Sequence, residues 1–158
     1  RSVAVFPDGL KVATASDDKT SRVWDAVSGE ELLRLKGHSD CVRSVAVFPD
    51  GLKVVTASDD KTSRVWDAVS GEEFLQFKGH FDCVRSVAVF PDGLKVATAS
   101  DDNSTSRIWD AVSGRNLLRL RFQRGKKHGH SDCVRSVAVF PDGLKVATAS
   151  RDKTSRIW

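Results

Sequence analysis

Methionine and tyrosine are absent from this 158-residue chain, and no apolar run approaches the roughly 18 residues that a membrane-spanning helix needs. The sequence therefore excludes such a helix. No charged-then-apolar leader opens the chain, so no secretory signal is visible. Because methionine is missing and the chain opens at Arg1 inside a phrase that recurs later, we expect an excerpt or a processed product of a longer protein.

Cysteine is scarce as well, and each copy stands in the same sequence context. Cys41, Cys83 and Cys133 all follow a histidine at His-x-x-Cys spacing. Equivalent points on successive repeats lie too far apart for a disulfide, which needs Cα atoms within about 7 Å. We therefore expect free thiols, which favour a reducing, intracellular compartment such as the cytoplasm.

Acidic residues are missing from one short segment that is rich in basic residues. The chain carries a formal charge of +4, with 40% hydrophobic and 29% charged residues, a balance typical of folded proteins rather than disordered ones. Between Arg115 and Lys127 there are six basic residues and no acidic residue, whereas the rest of the chain holds 19 basic against 21 acidic residues. All of the excess positive charge therefore lies in this segment.

An eleven-residue phrase, Ser-Val-Ala-Val-Phe-Pro-Asp-Gly-Leu-Lys-Val, occurs four times. The copies begin at Ser2, Ser44, Ser86 and Ser136, at steps of 42, 42 and 50 residues. Self-similarity with a period of about 40 to 45 residues is typical of stacked or radial repeat proteins.

Each repeat reads as four short strands separated by turns. In the second copy we predict strands at Val42 to Phe48, Lys53 to Ser58, Thr62 to Trp66 and Glu73 to Lys78. Pro49-Asp50-Gly51 has the chemistry of a tight turn between the first two. Four antiparallel strands per unit predict an all-β chain made of β-propeller blades.

The ends of each unit carry a further motif. Gly-His precedes the phrase and Trp-Asp follows it, as in Gly37-His38 with Trp66-Asp67 and Gly79-His80 with Trp109-Asp110. With these motifs in its repeats, the whole chain resembles the WD40 repeat family. The resemblance implies four blades at residues 1–36, 37–78, 79–128 and 129–158, the last one incomplete. Just under four blades form an incomplete ring unless more chain or oligomerisation completes it.

The resemblance also implies a buried hydrogen-bond network in each blade, formed by a histidine, a threonine, an aspartate and the tryptophan indole. The matching positions are His38, Thr56, Asp60 and Trp66; His80, Thr98, Asp102 and Trp109; and His130, Thr148, Asp152 and Trp158. The first copy retains Thr14, Asp18 and Trp24. The third unit departs from the family pattern after Asp102, where Asn103-Ser104-Thr105 adds one residue to the turn. The sequence therefore leaves open whether Asp102 lies opposite His80.

Hydroxyl, imidazole and carboxylate together could form a catalytic triad, and His-x-x-Cys could hold zinc. A catalytic site would occur once rather than in every unit, and a threonine inside a strand is a poorly placed nucleophile. Each unit supplies only two zinc ligands where structural sites use four. We therefore predict no enzymatic activity, no metal and no cofactor.

The residues expected to bind a partner are basic and belong to the face that carries the turns between strands two and three, called the top face in this family. Arg43, Arg85 and Arg135, with Arg1, begin the first strands, opposite Asp17, Asp59 and Asp101 but opposite Arg151 in the fourth copy. We expect Arg–Asp pairs in the first three copies and an open fourth copy with Arg135 and Arg151. The loop residues Arg121, Arg124, Lys126 and Lys127 would extend that basic patch.

A second departure from the family is a phenylalanine before each Pro-Asp-Gly turn, at Phe6, Phe48, Phe90 and Phe140. These side chains could form an apolar ring on the opposite face, but packing between blades is the favoured interpretation.

We predict a non-catalytic interaction scaffold that docks a partner protein, favouring an acidic or phosphorylated segment, through its top face. Nucleic-acid or other polyanion binding through the basic 115–127 segment is the alternative. It ranks lower because only Phe122 interleaves the basic residues, whereas single-strand grooves use several aromatic rings.

Overall fold

The computed structural model describes residues 1–120 and 129–158, which form four antiparallel sheets. The first sheet contains β1 (Ser2–Val5), β2 (Lys11–Ala15), β3 (Thr20–Asp25) and β4 (Glu31–Lys36). The second contains β5 (Val42–Val47), β6 (Lys53–Ser58), β7 (Ser63–Asp67) and β8 (Glu73–Phe77). The third contains β9 (Val84–Val89), β10 (Lys95–Ser100), β11 (Ser106–Asp110) and β12 (Asn116–Leu120). The fourth contains β13 (Val134–Val139), β14 (Val146–Ser150) and β15 (Ser155–Ile157).

Consecutive strands pair within each sheet, so the all-β class and the four-stranded unit are confirmed. The predicted strand bounds in the second unit differ from the observed ones by a residue at some ends. A one-turn 3₁₀ helix, Asp102–Ser104, takes up the residue added to the third unit's turn.

Local turn chemistry explains why the first two strands of each unit fold back on one another. Gly51 has φ 68°, a left-handed conformation that glycine adopts without steric cost. The Asp50 side chain closes the turn, because its Oδ1 accepts a hydrogen bond from the Leu52 N–H at 2.9 Å.

The apolar core lies between successive sheets rather than inside any one of them. The innermost strands β1, β5, β9 and β13 lie side by side in chain order. Phe6, Phe48 and Phe90 are buried in the three interfaces, which confirms the favoured interpretation of packing between blades. Phe140 is half-buried, on the side of the fourth sheet that no further sheet covers.

The four sheets form an open arc, and its two end faces expose residues that are buried elsewhere. Val3 of β1 is 65% exposed, whereas the equivalent Val45 of β5 is 5% exposed against the first sheet. At the other end Ile157 is 65% exposed, whereas the equivalent Val65 is fully buried. The first sheet therefore exposes the face that packs against a preceding sheet in the other units. The fourth sheet exposes the face that packs against a following sheet.

The three cysteines are free, as the repeat spacing predicts, and each is half-buried. Burial raises the pKa of the Cys83 thiol to about 11. Across the described residues, no helix has both the length and the apolar character to cross a membrane.

Candidate functional site

A chain of hydrogen bonds crosses the second blade at its outer half. The Trp66 indole N–H donates to Thr56 Oγ1 at 2.9 Å, and that oxygen lies 2.7 Å from His38 Nε2. His38 Nδ1 lies 2.7 Å from Asp60 Oδ2. Because an indole can only donate, Thr56 Oγ1 accepts from Trp66, and its contact with His38 Nε2 is a second hydrogen bond on the same oxygen.

The same side chains meet in the other blades. In the fourth blade, His130 lies 2.7 Å from Thr148 and 3.0 Å from Asp152, and the Trp158 indole donates to Thr148 at 2.8 Å. In the first blade, the Trp24 indole donates to Thr14 at 2.8 Å.

The third blade keeps the network despite its added turn residue. The Trp109 indole donates to Thr98 at 2.8 Å, and Thr98 Oγ1 lies 2.7 Å from His80 Nε2. His80 Nδ1 and Asp102 Oδ2 are 3.0 Å apart. The open question of register is thus answered, because Asp102 remains opposite its histidine.

The electrostatics of the network stabilise the ionised aspartates. Burial opposes ionisation of Asp60, but hydrogen bonds from His38 and Thr62 outweigh it and lower its pKa. Burial lowers the pKa of His80. Thr56 and Thr98 are 0% exposed, so their hydroxyls cannot meet a substrate from solvent.

The His-x-x-Cys motif does not bring a histidine and a cysteine to one point as free ligands. Both ring nitrogens of His38 are occupied by Thr56 and Asp60. Asp40, Cys41 and Asp59 do converge, with ligand atoms within 4.8 Å of one another. Asp59, however, already pairs with arginines on both sides, as described next.

Arginines and aspartates alternate along the top face in what we call the Arg–Asp ladder: Arg1, Asp17, Arg43, Asp59, Arg85, Asp101 and Arg135. Arg1 pairs with Asp17 at 2.5 Å, Arg43 pairs with Asp59, and Arg85 pairs with Asp101 at 2.6 Å, so the three expected pairs are present. The ladder also crosses between blades, since Arg43 reaches Asp17 at 3.3 Å and Arg85 reaches Asp59 at 2.8 Å. Hydrogen bonding to Asp59 raises the pKa of Arg43.

The ladder ends in the fourth blade. Arg135 was expected to be open, but its Nη1 lies 3.5 Å from Asp101 of the preceding blade, a contact that the within-repeat comparison could not reveal. Arg151 is exposed and makes no ion pair within residues 1–120 and 129–158. The Cys133 backbone N–H lowers the pKa of Asp132, and Arg151 and Arg135 add to that effect. The other predicted basic residues, Arg121, Arg124, Lys126 and Lys127, lie outside the described residues.

Sequence reasoning missed a second set of arginines, located two residues before each tryptophan. Arg64 pairs with Glu73 of β8 at 2.6 Å, and Arg22 lies 3.6 Å from Glu31 of β4. The sequence does contain a signal that could have drawn attention to these arginines. The first two units have glutamate at the position where the third unit has Asn116.

Stretches of similar sequence occur in other proteins. A probable serine/threonine-protein kinase, PkwA, from Thermomonospora curvata is 50% identical over 42 residues, which is 27% of this chain and 6% of that protein. Nuclear distribution protein PAC1-2 from Postia placenta is 49% identical over 35 residues, 22% of this chain and 8% of that protein. The matched lengths do not exceed one repeat, so the chain corresponds to less than a tenth of either relative.

The family comparison covers nearly all of the chain. The family described as WD domain, G-beta repeat matches residues 1–25, 29–67, 71–110 and 122–158. The second match begins just before β4 and ends with β7, so one family repeat spans the last strand of one sheet and three strands of the next. With four matched repeats, blade-like sheets and the His–Thr–Trp network, the chain belongs to the WD40 family.

Proposed function

We propose that this chain is a non-catalytic scaffold whose top face docks an acidic or phosphorylated segment of a partner protein. WD40 proteins generally act as interaction scaffolds, and the particular docking site is our proposal. The observation that carries it is the break in the Arg–Asp ladder at Arg151, where the other three blades have aspartate.

Most arginines of the ladder are already neutralised. Arg43 and Arg85 each contact two carboxylates, and their side chains are 24% and 22% exposed. Arg135 has one contact at 3.5 Å and is 40% exposed. The uncompensated positive charge therefore lies at Arg135 and Arg151.

Two neighbouring guanidinium groups suit an oxyanion partner. Guanidinium presents parallel N–H donors that match the spacing of carboxylate or phosphate oxygens. The sequence places the basic segment 115–127 shortly before the fourth blade, which would add to the attraction of an acidic chain.

The experiment measures binding of a fluorescent acidic phosphoserine peptide by anisotropy. Arg151→Asp restores the aspartate of the other blades and should weaken binding about 10- to 100-fold, the cost of a lost charge-assisted hydrogen bond. Lys153→Gln removes one positive charge two residues away without touching the ladder, and it should change affinity by less than about 3-fold. Equal losses in the two variants would show that the peptide senses net charge alone.

Nucleic-acid binding is the second candidate, favoured only by the basic segment 115–127. Oligonucleotides of unrelated sequence would then bind alike, with affinity falling steeply with salt. An Arg151→Asp variant that binds them as well as the wild type would assign polyanion binding to the segment rather than to the ladder.

The proposal of a non-catalytic role rests on the buried threonine hydroxyls. Hydrolase activity that Thr98→Ala abolishes while circular dichroism and the urea midpoint show intact folding would overturn it. We further propose that the free thiols reflect a reducing intracellular setting.

We also propose that other blades cover the exposed end faces of the arc. Further blades of a longer chain are favoured, and a second copy of this chain is the other possibility, since the repeats are nearly identical. Light scattering after size exclusion distinguishes them, because a discrete dimer indicates two copies in one ring. A monomer that binds an apolar-surface dye indicates further blades.

A further inference from the structure

The arginine two residues before each tryptophan sits among acidic groups in the first blade. Glu31 lies between two arginines there: Arg34 Nε donates to its Oε1 at 2.8 Å, and Arg22 Nε lies 3.6 Å from its Oε2. Asp18 pairs with Arg22 from the other side at 2.5 Å. Two cations and two carboxylates therefore balance each other.

The third blade repeats the two arginines without the glutamate. Arg107 and Arg119 are cross-strand partners at the positions of Arg22 and Arg34, and Asn116 replaces Glu31. Arg107 is 9% exposed, and its nearest carboxylate in the described part of the chain is Asp102 at 3.9 Å. Within residues 1–120 and 129–158, the Nε atoms of both arginines are buried without a hydrogen-bond partner. The Nε atoms of Arg22 and Arg64 are in the same condition, so the third blade differs from the first two in its missing glutamate.

The Arg107 side chain is enclosed by its neighbours. Its guanidinium lies 5.6 Å from the centre of the Trp109 ring. The backbone of Gly79 is also close, since a Cβ added there would lie 3.2 Å from Arg107 Nη1 and 3.3 Å from the Trp109 ring. Asn116 is exposed, and its amide nitrogen points to the backbone oxygens of Ile108 and Leu118, each at 3.4 Å. The Asn116 position is where the first blade has the carboxylate of Glu31.

We propose that Arg107 and Arg119 form an oxyanion-binding site on the outer edge of the third blade, which takes a phosphate or carboxylate group where the first blade has the Glu31 carboxylate. The two arginines share one carboxylate, Asp102, at 3.9 Å from Arg107, where the first blade has two, and their guanidinium groups offer directed donors to an incoming oxyanion. The site is separate from the Arg–Asp ladder, and no residue belongs to both.

The basic segment that follows β12 cannot supply the missing charge. Residues 121–128 contain no aspartate or glutamate. The counter-ion is therefore expected from a partner or from solution.

The electrostatics of the neighbouring groups support the same site. Burial lowers the pKa of Arg107, and Arg119 lowers it further, with only Asp102 acting in the opposite direction. Burial likewise lowers the pKa of His80, and the positive charges of Arg107 and Arg119 add to the effect. An anion bound between the two arginines would oppose both effects and raise the pKa of Arg107 and of His80.

The first experiment compares melting temperature in sodium phosphate and in sodium chloride at equal pH and ionic strength. Phosphate at about ten times its dissociation constant should raise the wild-type melting temperature by about 3 °C. Asn116→Glu should raise the melting temperature in chloride and remove the phosphate response. An acetate series identifies whether a carboxylate suffices. A response to neither anion, or one that persists in Asn116→Glu, overturns the proposal.

The first blade offers a reciprocal control. Glu31→Asn removes the carboxylate between Arg22 and Arg34, so it should lower the melting temperature in chloride and create a second, phosphate-responsive site. All of these melting comparisons use the Arg151→Asp background, so that phosphate held at the ladder does not contribute to the response.

A second measurement does not depend on stability. In a phosphate titration followed by ¹H–¹⁵N spectra of arginine side chains, the Nε–H signals of Arg107 and Arg119 should shift together and saturate. The signal of Arg64, which Glu73 already neutralises, should not move. Parallel, unsaturating shifts of all three signals would show only a general ionic effect and would refute the site.

Discussion

Replacing Thr56 with valine tests whether the buried network holds a blade together. Valine has nearly the same shape as threonine but cannot form a hydrogen bond with the Trp66 indole or with His38, so both partners lose a contact shorter than 3 Å. Leaving a buried polar group unsatisfied costs about 1–3 kcal/mol, and here there are two such groups. Burying a methyl group in place of the hydroxyl stabilises the folded state by about 1 kcal/mol. We expect a net loss of about 1–5 kcal/mol.

Thr14→Val in the first blade is the matched control. Thr14 bonds the Trp24 indole at 2.8 Å, and both residues are only half-buried. Water can reach the indole N–H after the substitution, so the loss should be about 0.5–1 kcal/mol.

Urea unfolding followed by circular dichroism measures the difference between the two variants. With an m-value of about 2 kcal/mol/M, a loss of 3 kcal/mol would move the midpoint by roughly 1.5 M. An unchanged m-value is required for this conversion. If Thr14→Val proves as costly as Thr56→Val, the network contributes no more than an isolated indole–hydroxyl contact, and the reasoning fails.

Three further predictions follow from burial and charge. Phe48→Ala should cost about 3–5 kcal/mol in urea unfolding, and Phe140→Ala less, since only Phe48 is enclosed between two sheets; equal costs would contradict the packing scheme. Because the folded protein holds the pKa of His80 below that of the unfolded chain, about 6.5, the stability that His80 contributes is present above that pH and is lost as pH falls below it. An NMR titration that gives His80 a pKa at or above 6.5 would refute this. Alkylation by iodoacetamide at pH 8 should be slow at Cys83 and rise up to about pH 11; mass spectrometry of the labelled peptides would expose a fast, pH-independent reaction.

The strands could be predicted from sequence because each depends on local chemistry repeated four times. Pro49-Asp50-Gly51 ends one strand and begins another through its own side chains and dihedral angles. The Arg–Asp ladder could be predicted only within each blade. The contacts of Arg43 with Asp17 and of Arg135 with Asp101 join residues 26 and 34 positions apart, in different sheets, and depend on how neighbouring blades pack.

The arginine sites show why near-identical repeats are informative about function. Core residues such as Phe6 and Phe48 are the same in each unit because each blade must fit its neighbour. A charged residue that is replaced in only one unit is not required by that packing, because the units fold with either residue at that position. Arg151 and Asn116 are two such changes, and each leaves positive charge without its usual carboxylate. Restoring the acid at either position should therefore preserve the fold and remove only the anion binding assigned to that position.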